Sequence, residues 1–312
     1  MTTAFLFPGQ GAQYIGMGKE LYDNFTEAKD VYEIVNDSLK KKLTKIIFNG
    51  TQDELQITSN TQPAIMATSI AILKVLTLLA NKSVNELCTI SAGHSLGEYS
   101  ALCSAESLSL TNTTKVLSIR GRAMQESISD NTGAMYALIG GQKDAINAIC
   151  STLSTNGVCE IANDNSKEQV ILSGHKKCFE QIHVIIKDYN IKKAIKLPVN
   201  IPFHCSLMNK ATMIMQKELK KFYFRKPKIN IISNYSTTIY SSNNGIKTGL
   251  INQIEGSVRW RETIDKMYNK YKIRRFVEIG PGKILSNILK RDYDDLKIYS
   301  LQKALDIENF LK

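Results

Sequence analysis

Three times along the chain a short apolar run ends in a glycine-rich turn and passes into a segment with helical spacing of its apolar residues. The first is AFLF at 4–7, the turn PGQGAQ, and a helical stretch over 14–25. The second is an apolar run at 87–92, the turn GHSLG at 93–97 and a helix of small residues. The third is a run at 275–279, the turn GPG at 280–282 and a helix through LSNILKR. Short apolar runs read as strands, and their repetition ahead of helices predicts an α/β, hydrolase-like domain on a largely parallel sheet, with its site at the strands' C-terminal ends.

Between 127 and 197 the pattern changes. Apolar runs at 134–139, 158–162, 169–172 and 193–199 alternate with helical periodicity over 142–153 and 175–187. The order β-α-β-β-α-β predicts a small ferredoxin-like subdomain, 127–197, inserted in a larger catalytic unit made of 1–126 and 198–312. The longest apolar stretch, 64–80, carries Lys74 at its middle and is short for a bilayer, so it predicts a buried helix and no membrane span.

Composition narrows the function. The chain has 312 residues, 43% of them hydrophobic, which fits a folded globular protein. The N-terminus lacks a basic stretch and meets Pro8 and Gly9 after a short apolar run, so no signal peptide and a cytoplasmic location are expected. Six cysteines lie scattered without C-x-x-C spacing and read as free thiols, not as a metal site or a disulfide framework. The net charge is +11, yet only 8 of the 40 basic residues are arginine and no cluster combines them with aromatic readout, so no nucleic acid partner is expected. A monomer is the expectation.

Ser95 sits at the centre of G-x-S-x-G, after an apolar strand and before a helix. There the glycines permit a tight turn that presents a serine hydroxyl at the top of the sheet, with the N–H of Leu96 and the helix N-terminus facing any developing anion. A purely structural turn is the alternative. A serine nucleophile needs a base, and the chain has four histidines. His94 adjoins Ser95 and its side chain diverges; His175 and His183 fall in the predicted second helix of the insertion. His204 closes KLPVNIPFH, where the chain returns to the larger unit, and is the best base. No acid between 95 and 204 lies in a recognisable strand-end turn, so a Ser-His dyad is expected, its histidine oriented by some other group such as a backbone carbonyl.

A helix beginning near 112 places 116, 119, 120, 123 and 124 on one face, where Arg120 is the only charge. Arg122 falls on the polar face with Lys115 and Glu126. An inward guanidinium needs a carboxylate from the protein or from a ligand, and these residues leave both open.

Seven segments carry a resemblance from end to end: FLFPGQGAQ (5–13), TQPA (61–64), GHSLGEYSAL (93–102), RGRAMQES (120–127), PFHCSLM (202–208), QIEGSVRW (253–260) and VEIGPGKILSNILKR (277–291). Together they resemble the acyltransferase family that includes malonyl-CoA:acyl carrier protein transacylases and the loading domains of fatty acid and polyketide synthases. The resemblance implies Ser95 as nucleophile, His204 as its base and Arg120 as the holder of a malonyl carboxylate. It implies an oxyanion hole from the backbone N–H groups of Gln10 and Leu96, and a main-chain carbonyl of Gln253 that orients His204. Asn234 matches a family asparagine near the site, with a structural role at a strand end as the alternative.

The implied partners are malonyl-CoA and acyl carrier protein, with no cofactor and no metal, in a ping-pong cycle through a malonyl-serine. Phe203 leans toward malonyl over methylmalonyl. Lys192, Lys193, Lys196, Lys290 and Arg291 are expected near the site mouth, where an acidic carrier would meet them. Where many relatives read N-S-P-G-Q, this chain has NSKEQ at 165–169, which removes a Pro-Gly turn. The rival readings are a serine hydrolase, which needs no inward arginine, and a carrier-protein binder without catalysis, which needs none of Ser95, His204 and Arg120.

Overall fold

The computed structural model describes residues 2–129 and 131–312. Its strands in chain order are β1 (Thr3–Phe7), β2 (Ile90–Gly93), β3 (Gly133–Ile139), β4 (Cys159–Ser166) and β5 (Gln169–His175). They continue with β6 (Lys193–Lys196), β7 (Asn230–Ile231), β8 (Arg275–Ile279) and β9 (Lys297–Leu301). Five of them form a parallel sheet in the order β7-β2-β1-β8-β9. The central β1, TAFLF, is buried at every position because both faces are covered. Phe5 and Phe7 pack on the side of the long helix Thr58–Ala80, and the alternate residues Ala4 and Leu6 pack on the other side with Trp260 and Leu285.

Helix Thr58–Ala80 is long and apolar enough to cross a membrane, but most of its surface lies in the core, and Lys74 is the position it turns outward at mid-length. Its start is earlier than the apolar run at 64 suggests, because Thr58, Asn60, Thr61 and Gln62 are buried as well. Polar type hid this buried first turn from a reading by hydropathy.

The other four strands form an antiparallel sheet in the order β4-β5-β3-β6, the ferredoxin-like arrangement. Its faces separate with period 2 along β3. Ala134 and Leu138 pack under helix Lys143–Leu153, while Met135 and Ala137 face the larger core.

Four expectations need correction. The second helix of this unit is broken into three short turns, Lys176–Phe179, Ile182–Ile185 and Ile186–Tyr189, and His175 ends β5, where its Nδ1 accepts from the Val158 N–H at 3.0 Å. The first helix is only Lys19–Asn24, because Gly16 and Gly18 take φ values of +88° and +74° that a helix cannot include. β6 stops at Lys196, two residues before Pro198. The run at 87–92 is split: Leu87 ends a short helix and β2 begins at Ile90.

NSKEQ closes the β4–β5 hairpin through Lys167 and Glu168, with Ser166 opposite Gln169. The two sheets meet through backbone and side chain. Val258 exchanges hydrogen bonds with the β4 backbone at Ala162 O (2.8 Å) and Asp164 N (3.0 Å), and Arg261 pairs with Asp164 at 2.7 Å.

Candidate active site

β2 ends at Gly93, and the chain turns through His94 and Ser95 into helix Gly97–Ser104. Ser95 has φ +52°, a left-handed conformation that a residue with a Cβ adopts only when its surroundings hold it there. The flanking glycines contribute space, not positive φ. A Cβ on Gly93 would lie 1.8 Å from Gly97 O, and one on Gly97 would lie 2.2 Å from Phe7 O. Gly9, in the turn after β1, also makes a close approach: a Cβ there would lie 2.7 Å from His94 O. Glycine at these positions brings the β1 turn, with Gln10, against the serine turn.

The Ser95 hydroxyl is 2.7 Å from His204 Nε2, and His204 Nδ1 is 2.7 Å from the main-chain oxygen of Gln253. A carbonyl can only accept, so it selects the tautomer with hydrogen on Nδ1 and leaves the Nε2 lone pair toward the serine. Burial, and then the charge of Arg120, pushes the His204 imidazole down to about 3, so it is neutral at physiological pH. Among the described residues no acid orients His204; a backbone oxygen takes that place.

Arg120 is 1% exposed. Its Nη1 donates to Gln62 Oε1 at 2.9 Å, and its Nη2 donates to Gln253 Oε1 at 3.0 Å and to Ser95 Oγ at 3.2 Å. All three partners are neutral. Its Nε–H is buried and, among the described residues, has no partner. Burying a cation without a directly contacting anion costs several kcal/mol, so this guanidinium is poised for an anion from outside the chain. Arg122, on the opposite face, is exposed.

The N–H groups of Gln10 and Leu96 have no hydrogen-bond partner among the described residues, and both residues line the same cavity as Ser95. The Ser95 N–H is already taken, at 2.7 Å, by Asn234 Oδ1, whose Nδ2 donates to Gly93 O at 2.7 Å. Asn234 therefore braces the turn and does not line the cavity. The cavity measures about 490 Å³, within the range of small-molecule sites, and Phe203, Met135 and Ile171 form part of its apolar wall.

The acyl transferase domain family matches residues 4–308. The chain belongs to that family. The malonyl CoA-acyl carrier protein transacylase of Bacillus subtilis is 37% identical over 306 residues, 98% of this chain and 95% of that protein. The Escherichia coli K12 protein of the same name is 32% identical, covering 96% of each. Among solved structures, an acyl-carrier-protein S-malonyltransferase from Bartonella henselae superposes with a TM-score of 0.96 at 41% identity, covering 100% of this chain and 98% of that one. A malonyl-transacylase in complex with its type II polyketide synthase carrier protein gives 0.95 at 31% identity, covering 100% and 99%.

Several residues of this acyl transferase site were not read from the sequence as functional. Gln62 holds Arg120 from the buried first turn of helix Thr58–Ala80. His94 turns away from Ser95 as expected, but its Nε2 lies 2.8 Å from Asn165 Oδ1, which ties the serine turn to the NSKEQ hairpin. Glu98, fully buried behind Ser95, accepts from Tyr240 OH, Gln253 Nε2 and the Asn234 N–H. Burial pushes its carboxyl up to about 7, against the pull of these donors. The five basic residues expected at the mouth are all exposed, and Lys192 pairs with Glu168.

Proposed function

We propose that this acyl transferase moves a malonyl group from malonyl-CoA to the phosphopantetheine thiol of acyl carrier protein through a malonyl ester on Ser95. The observation that carries the reading is Arg120: a buried guanidinium with only neutral partners and an unpartnered Nε–H, in contact with the nucleophile itself. A malonyl group presents its free carboxylate at the distance of one methylene from the reacting carbonyl, where such a cation is of use. A serine hydrolase of simple thioesters gains nothing from it.

In the first half-reaction Ser95 Oγ attacks the thioester carbonyl while its proton passes to His204 Nε2. The developing oxyanion lies between the N–H groups of Gln10 and Leu96, each contributing about 3 kcal/mol to the transition state. Collapse breaks the C–S bond, and the proton on Nε2 passes to the departing coenzyme A sulfur. In the second half-reaction the carrier's thiol gives its proton to His204, attacks the ester, and leaves as the malonyl thioester while Ser95 regains its proton. The ping-pong order follows because one serine and one base serve both steps. The larger unit, 1–126 with 198–312, supplies all of these groups, and the 127–197 unit supplies cavity wall.

The test is the intact mass of the protein after mixing with malonyl-CoA, acetyl-CoA or methylmalonyl-CoA. A malonyl adduct that is absent in Ser95→Ala is expected. An adduct that persists in Ser95→Ala, or none with malonyl-CoA in the wild type, contradicts the reading.

A further inference from the structure

Glu98 is a fully buried acid that none of the steps above uses. It stands in the first turn of helix Gly97–Ser104, directly after the nucleophile turn. Gln253 Nε2 and the Asn234 N–H can only donate, and both meet its Oε2, while Tyr240 OH, which can donate or accept, meets its Oε1, so Oε2 is held as an acceptor. Two of those donors lead on to the reacting groups. Asn234 holds the Ser95 N–H, and Gln253 Nε2 also donates to the Ser95 carbonyl at 3.0 Å. The other end of the same Gln253 amide, Oε1, accepts from Arg120.

We propose that Glu98 is a positioning residue for malonyl transfer: its carboxylate sets which end of the Gln253 amide faces Arg120, and so holds the guanidinium in place for the substrate's carboxylate. The inference rests on the malonyl reading above. A glutamine amide has two ends of nearly equal shape and opposite hydrogen-bonding sense. Glu98 Oε2 and Ser95 O both call for the NH2 end, which turns Oε1 toward the arginine. In the reversed orientation the amide would set N–H against the guanidinium N–H groups and release Arg120 from one of its three contacts.

Glu98 lies behind the amide, so it orients the guanidinium's partner without occupying the donors that a malonyl carboxylate needs. A direct Glu-Arg pair would compete with the substrate for the same fork.

The test compares acylation by malonyl-CoA and by acetyl-CoA in wild type, Glu98→Leu and Glu98→Gln. Glu98→Leu removes the oxygen that holds the NH2 end of Gln253. The malonyl-CoA KM is expected to rise about 10-fold or more, while acetyl-CoA kcat/KM stays within about 3-fold, because only the carboxylated substrate uses Arg120. Glu98→Gln keeps an oxygen for Gln253 Nε2 and the Asn234 N–H and turns its NH2 to Tyr240 OH, which can accept, so it should keep the malonyl-to-acetyl ratio. A purely structural Glu98 would lower both substrates together in Glu98→Leu, and that result, or a sharper preference for malonyl, overturns the proposal. If Glu98→Leu does not fold, Glu98→Asp, which draws the carboxylate back by one methylene, is read by the same KM split. A wild type that takes up no malonyl group would sink the functional reading as well, whereas a wild type that does so beside an unshifted Glu98→Leu sinks only this assignment.

Discussion

A guanidinium at 1% exposure with three neutral partners is held at a cost, and a substrate carboxylate offsets it. Replacing Arg120 by alanine should therefore lower malonyl-CoA kcat/KM by roughly 10²–10³, the worth of two charge-assisted hydrogen bonds, while acetyl transfer persists. Lysine should restore only part of the loss, since a point charge cannot reproduce the paired fork. Equal losses for both acyl groups would make Arg120 structural. The histidine gives a second test. With its imidazole pushed down to about 3 by burial and by Arg120, His204 stays neutral, and able to act as base, well below the usual 6.5. The kcat/KM for acylation should stay level on lowering the pH through 6.5, and an acid limb centred there would contradict that. The sign for stability is the reverse: the unfolded chain takes the proton first, so the contribution of His204 to stability is lost as pH falls below about 6.5. Ser95, His204 and Arg120 were legible in the sequence because each is scarce or out of place: a serine between glycines, one histidine of four at a strand return, one charge on an apolar face. Gln62 and Glu98 were not, because their partners lie 58 and 155 residues away along the chain and no local pattern marks them.

At the scale of elements, the turn that lifts Ser95 exists because three backbones approach within the space of a missing Cβ. Gly97→Ala places a methyl 2.2 Å from Phe7 O, a backbone atom of the central strand that cannot yield. The variant should lose about 2–4 kcal/mol in denaturant unfolding, together with acylation. Gly16→Ala, where φ is +88° but nothing lies within 4 Å, should lose only the conformational penalty of about 1–2 kcal/mol. Similar losses for the two would mean that the turn owes its shape to dihedral freedom and not to close approach. Three strands of the parallel sheet and the four of the ferredoxin-like sheet were readable from apolar runs, whereas β7, β9 and the strand order of the parallel sheet were not. The helix boundaries were not: polar residues buried in the first turn of Thr58–Ala80 and the three short turns between 176 and 189 depend on tertiary packing, which periodicity does not record.

Across the whole molecule, the charge of +11 is spread widely, but two basic groups stand on segments that also contribute cavity-lining residues. Lys290 and Arg291 are exposed at the end of helix Ile284–Asp292, whose first residue lines the cavity. Lys192, Lys193 and Lys196 are exposed just before Leu197 and Val199, which line it as well. Reversing Lys290 and Arg291 to glutamate together should raise the apparent KM for carrier protein several-fold at low salt and flatten its salt dependence, with the malonyl-CoA half-reaction unchanged. An unchanged carrier KM would assign docking to another surface.

The central claim is that one serine receives the malonyl group from coenzyme A and gives it to a thiol. It is tested by isolating the malonyl-enzyme free of excess malonyl-CoA, adding the phosphopantetheine form of acyl carrier protein, and following both intact masses. The account predicts that the enzyme returns to its unmodified mass as the carrier gains one malonyl group. An enzyme adduct that persists, or that disappears by hydrolysis while the carrier stays unmodified, would contradict it.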